Sequence, residues 1–193
     1  MVLATTKRYT VDEYLELEEK ALVKSEFVDG EIIPMAGATA NHNILTAKFL
    51  ARIFLALEDL DFAVFMSDMR LWMPDLNRYT YPDVLVVKGQ PIFTDQKKTG
   101  VTNPCVIVEI LSSSTQEYDR TSKFKLYRSI PSFKEYILIY QDSYCVEKYT
   151  KQDSGQDKGK WILTEFLGED AVLKLDAIDF EISLKDLYRK VTF

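Results

Sequence analysis

The chain has 193 residues, 47% of them hydrophobic and 28% charged, with a formal net charge of −6. That length is enough to bury a substantial core as one domain, and no apolar run reaches the roughly 18 residues of a bilayer span. Met1 to Tyr9 has no apolar signal-peptide core, so the chain is expected in the cytoplasm, away from the membrane.

Thr10-Val11-Asp12-Glu13 reads as a capping box, which predicts a short helix to Lys20. Glu26 to Ile33 predicts a hairpin, because Asp29-Gly30 tolerates the positive φ of a tight turn. Asn41 is a plausible N-cap for a helix to about Leu57, in which Ile44, Leu45, Lys48, Phe49, Arg52, Ile53 and Leu57 recur near every 3.6 residues. His42, the lone histidine, falls in its first turn, as a phosphate contact, a general base or a plain surface imidazole. Phe62 to Met73, containing Asp68, reads as one strand closed by Pro74 to Asn77. Two unbroken apolar runs, each holding one acid, follow: Tyr81 to Val87 with Asp83, and Cys105 to Leu111 with Glu109. Their lack of alternation predicts strands buried on both faces. After the polar knuckle 112–115, Gln116 to Arg128 predicts a helix carrying Arg120, Lys123, Lys125 and Arg128, with Pro131 as its stop. Strands are predicted at 134–140, 144–150 and 161–167, a polar loop at 151–160 and a closing helix at 183–190. The fold class is α+β, with a central mixed sheet of about six strands flanked by helices.

Chemistry enters through the two acids. A carboxylate inside a buried strand is costly unless it is paired or holds a cation. With two cysteines and one histidine, the chain lacks the ligands of a common Cys/His zinc site. A metal here would be held by oxygen, which points to magnesium, manganese or calcium. If the strands of Asp83 and Glu109 are antiparallel neighbours, the two carboxylates meet at one end and can share an ion. The position two residues past Glu109 is Leu111, so the nearest candidate amine is Lys123 on the next helix. It shares a face with Asp119 and Tyr127, whereas Lys125 points away. Blander roles stay open: Asp83 as a strand cap, Glu109 as an ion-pair partner of Lys123, and Tyr127 and Tyr136 as core aromatics. Negative net charge argues against a simple electrostatic nucleic-acid binder, although acids gathered around a metal count toward that total.

The segments SEFVDGEI (25–32), PDVLVV (82–87), VIVEILSSST (106–115) and DRTSKFKLY (119–127) together resemble the Uma-two family of the PD-(D/E)XK superfamily. The resemblance runs from about Thr10 to Tyr140. It implies a restriction endonuclease-like fold over 1–193 and magnesium- or manganese-dependent hydrolysis of DNA phosphodiester bonds. It further implies Asp83 and Glu109 as metal ligands and Lys123 as a catalytic lysine moved from strand to helix. Glu26 matches an acid of the family, one that holds or orients a metal-bound water. Ser113 stands where the family's turn carries proline. Duplex cleavage needs one site per strand, so a two-fold homodimer is implied. Two rivals remain: a nuclease fold that binds DNA or protein without cutting, and a metal-dependent phosphatase of small substrates.

Overall fold

Two large sheets, between which the chain passes repeatedly, place the site in the computed structural model, which describes residues 7–112 and 115–193; Ser113 lies outside them. In chain order, helix α1 (Val11–Glu18) starts at the predicted capping box, with Thr10 and Glu13 bonding reciprocally. Strands β1 (Ser25–Val28) and β2 (Glu31–Pro34) form the hairpin, and Asp29 (φ 45°) and Gly30 (φ 92°) supply its left-handed turn. Helix α2 (Ala40–Leu57) is capped by Thr39, not by Asn41. The Asn41 amide is instead spent on the carbonyls of Gln141 and Thr192.

The predicted strand 62–73 is two strands, β3 (Phe62–Met66) and β4 (Arg70–Met73). A turn closed by Met69 N–H to the Met66 carbonyl (2.8 Å) separates them, and they enter different sheets. Then come β5 (Arg78–Thr80), β6 (Val84–Lys88), β7 (Gly100–Val101) and β8 (Val106–Leu111). The helical stretch after β8 is not uniform: α3 (Gln116–Tyr118), a π turn (Asp119–Lys123) and α4 (Phe124–Tyr127) succeed one another. Strands β9 (Glu135–Tyr140), β10 (Cys145–Lys151) and β11 (Trp161–Leu167) agree with the sequence reading. The hairpin β12 (Val172–Leu175) and β13 (Phe180–Ser183) lacks a counterpart there, and the closing helix α5 spans only Leu184–Leu187.

The strand orders are β2-β1-β5-β4-β7 in one sheet and β11-β10-β9-β8-β6-β3 in the other. In the larger sheet β8 pairs antiparallel with β6 and parallel with β9. Alternation along β6 and β8 sends Val84, Val86, Val106, Val108 and Ile110 toward Leu45, Phe49 and Ile53 of α2. The opposite face packs Leu85, Val87, Ile107 and Leu111 against Tyr127 and against Leu71, Met73 and Val101 of the smaller sheet. Helix α1 covers the far face of that sheet through Tyr14, Phe27 and Tyr79. With side chains buried on both faces, β8 is apolar except for Glu109 and β6 is apolar up to its exposed last residue, Lys88, as the sequence suggested. The chain passes from β5 in one sheet to β6 in the other through Tyr81-Pro82-Asp83, and the site lies at that crossing.

Candidate active site

Asp83 directly precedes β6, where the ladder to β8 ends. The last paired residues are Val84 and Val108, so Asp83 stands just past the ladder, beside the Glu109–Ile110 end of β8. Beyond the ladder, the Asp83 side chain takes over backbone pairing: its Oδ2 accepts the Ile110 N–H at 2.8 Å. The same oxygen lies 3.1 Å from His42 Nε2 at the start of α2.

Glu109 is 3% exposed, on the β8 face that looks toward the helical segment. Its Oε1 accepts from Lys123 Nζ (3.0 Å) and from Tyr127 OH (2.9 Å). Lys123, 8% exposed, also stands 3.0 Å from Asp119 Oδ1 across one turn. That second contact lies off the hydrogen-bond direction and is purely electrostatic, leaving the buried Asp119 Oδ1 without a hydrogen bond. The predicted common face of Asp119, Lys123 and Tyr127 is present, but a π turn carries it. Such turns widen the helix locally and often occur at functional sites. Two tertiary bonds fix the turn: Tyr136 OH to the Asp119 carbonyl (3.1 Å), and Arg120 Nη2 to the buried Glu147 Oε1 (2.8 Å).

Electrostatics follow from this crowding. Burial pushes Glu109 up, a shift opposed by the Lys123 ammonium and reinforced by Asp119 and Asp83. Burial alone would lower Lys123, but Glu109, Asp119 and Glu26 outweigh it and hold the amine protonated well above the usual lysine range. Lys123 is therefore a fixed cation, not a base.

Glu26, on β1 of the smaller sheet, reaches the same cluster. Its Oε2 accepts from Tyr118 OH at 3.3 Å, and that hydroxyl also accepts from Arg78 on β5. Tyr127 OH touches Thr80 Oγ1 at 3.4 Å, closing the gap between the sheets. The fold thus brings Glu26, Asp83, Glu109, Lys123 and His42 to one place. Asp119, Tyr118, Tyr127 and Arg78 join them; the sequence offered only the helical spacing of Asp119 and Tyr127 as a signal. Asp68 is elsewhere, in an exposed pair with Lys24 (3.0 Å).

Among the described residues no group of three or more His, Cys, Asp or Glu side chains is arranged to hold a metal ion. The donors present nonetheless suit magnesium, which is commonly bound through one or two carboxylates and completed by water and substrate phosphate. Asp83 and Glu109 flank the same strand end, all their donor atoms are oxygen, and among the described residues nothing hydrogen-bonds to Asp83 Oδ1 or Glu109 Oε2. The acids also outnumber the cations around them, so a divalent ion would offset charge the protein leaves unbalanced.

Comparison with known proteins bears on the family and the fold. A family model described as "Uma2: Putative restriction endonuclease" matches residues 11–185. The "Uncharacterized protein sll1609" of Synechocystis sp. is 48% identical over 174 residues, covering 90% of this chain and 96% of that one. The "Uncharacterized protein slr1290" of the same organism is 32% identical over 183 residues, covering 94% and 92%. The crystal structure of "a putative nuclease belonging to DUF820" from Anabaena variabilis superposes with a TM-score of 0.75 at 20% identity, covering 95% of this chain and 99% of that one. Its likeness is one of fold, and it fits the α+β, restriction endonuclease-like class of this chain. Among the described residues no helix is long and apolar enough to cross a membrane. With the family model spanning all but the chain's two ends, this protein belongs to the Uma2 family.

Proposed function

We propose that the chain is a magnesium- or manganese-dependent endonuclease of the PD-(D/E)XK type that hydrolyses DNA phosphodiester bonds. The observation that carries this reading is the buried Lys123 ammonium, 3.0 Å from Glu109, next to the strand end where Asp83 Oδ2 accepts the Ile110 N–H. The family and the nuclease-described neighbour support the broader class. Asp83 and Glu109 would hold the cation, which when bound supplies charge neutralisation at the phosphoryl oxygens and a more acidic water. Lys123, unable to accept a proton, stabilises the negative charge that builds on phosphorus oxygens in the transition state. Glu26, fixed by Tyr118, orients the attacking water. His42 and the Ile110 N–H hold Asp83 in place. We take the whole chain as one nuclease domain, acting in the cytoplasm as a two-fold homodimer with one site per strand.

Supercoiled plasmid incubated with Mn2+ tests the activity. Wild type should yield nicked or linear DNA, and Glu109→Ala should not. Intact plasmid after prolonged incubation with wild type would remove the endonuclease reading. A second reading draws on the same pair: Glu109, Lys123 and Asp119 form a buried ion cluster that would persist in a catalytically silent module binding DNA or protein. That module would show no thermal stabilisation by Mn2+, whereas the nuclease should.

A further inference from the structure

One cation beside this site makes no direct contact with a carboxylate among the described residues. Arg78 lies on β5, where Tyr79 pairs with Phe27 and Arg78 with Val28 of β1. Strand alternation therefore puts Arg78 and Thr80 on the face shared with Glu26, turned from α1 toward the helical segment. Its Nη2 donates to Tyr118 OH, and its guanidinium carbon lies 5.8 Å from the Tyr118 ring centroid. Lys123 Nζ stands 5.8 Å from that same centroid, so the two cations border one aromatic ring. Arg78 Nε is buried and has no hydrogen-bond partner, and among the described residues Arg78 makes no salt bridge.

The other arginines differ. Arg8, Arg120 and Arg189 are paired with Asp29, Glu147 and Asp186. Arg52 and Arg128 are exposed. Arg70, the other half-buried one, spends both Nε and Nη2 on Thr99. A buried N–H left unpaired on a full positive charge costs stability, and an anion entering beside it would remove that cost. The planar guanidinium fork matches a phosphate better than any other side chain does.

We infer that Arg78 is the site's phosphate-binding cation, gripping a backbone phosphate of the bound DNA strand while Tyr118 holds the guanidinium in place. This rests on the phosphodiester reading above and adds a substrate contact to it.

Fluorescence anisotropy of a labelled 20-base-pair duplex tests the inference, with Ca2+ in place of Mg2+ and NaCl varied from 25 to 200 mM. Each phosphate contact contributes about 0.9 to the slope of log Kobs against log salt. Arg78→Gln should reduce that slope by about one contact and weaken binding about tenfold at the lowest salt, for any duplex sequence. A purely structural arginine would leave the slope alone. Wild-type binding with an unchanged slope in Arg78→Gln overturns the Arg78 assignment and leaves the nuclease reading standing. No binding by wild type at 25 mM NaCl overturns both. Should Arg78→Gln fail to fold, Arg78→Lys decides: it keeps the charge but loses the fork. A wild-type slope with clearly weaker binding supports the contact, and wild-type affinity refutes it.

Discussion

Replacing Lys123 with methionine keeps most of the side-chain volume and removes the ammonium that two carboxylates share. In the native protein that group is 8% exposed and lies 3.0 Å from both Glu109 Oε1 and Asp119 Oδ1. Its loss strands two buried acids, and breaking a buried ion pair by deleting one partner costs about 3–5 kcal/mol. At about 2–4 °C per kcal/mol for a chain of this size, the melting temperature should fall by about 6–20 °C. Glu109→Gln made in the Lys123→Met background removes one stranded charge and should recover at least about 1 kcal/mol of the loss. Equilibrium urea unfolding of wild type, both single variants and the double variant measures the coupling directly. A loss below about 1 kcal/mol for Lys123→Met, or strict additivity in the double variant, would refute the claim that the ammonium neutralises buried acids.

Three further outcomes follow from other contacts. His42→Ala removes the imidazole 3.1 Å from Asp83 and should weaken Mn2+ affinity about 10- to 100-fold in titration calorimetry without unfolding the chain. Burial pushes the Cys105 thiol up to about 11. The fold then favours the protonated thiol, so this contribution is intact below about pH 9 and is lost as pH rises through 11. Over that window Cys105→Ala should spare about 2–3 kcal/mol of the stability lost by wild type, read from urea midpoints. Thr10→Ala opens the α1 capping box and should cost about 1 kcal/mol, a shift of about 2–4 °C by calorimetry, with Mn2+ binding unchanged.

Local chemistry explains what was legible in the sequence. Uninterrupted apolar runs located β6 and β8, and Asp-Gly placed the β1–β2 turn. Helical arithmetic set Lys123 with Asp119 and Tyr127, because i and i+4 remain close even where a π turn widens the coil. The smaller sheet was hidden because β5 and β7 have only three and two residues, too short to show a period. Phe62 to Met73 misled because both halves are apolar and the separating turn, Ser67-Asp68-Met69, contains neither glycine nor proline. Arg78 and Tyr118 carried no spacing signal toward Glu26, since only the pairing of β5 with β1 and the docking of the helix bring them there. Tyr127, taken as a core aromatic, is one, yet its hydroxyl donates to Glu109.

The account stands or falls on Asp83 and Glu109 gripping a common ion. Isothermal titration of Mn2+ into wild type, Asp83→Asn and Glu109→Gln measures this without reference to any substrate. It should find one ion per chain in the wild type and loss of that heat in each variant. No binding by wild type, or undiminished binding by Asp83→Asn, would contradict it.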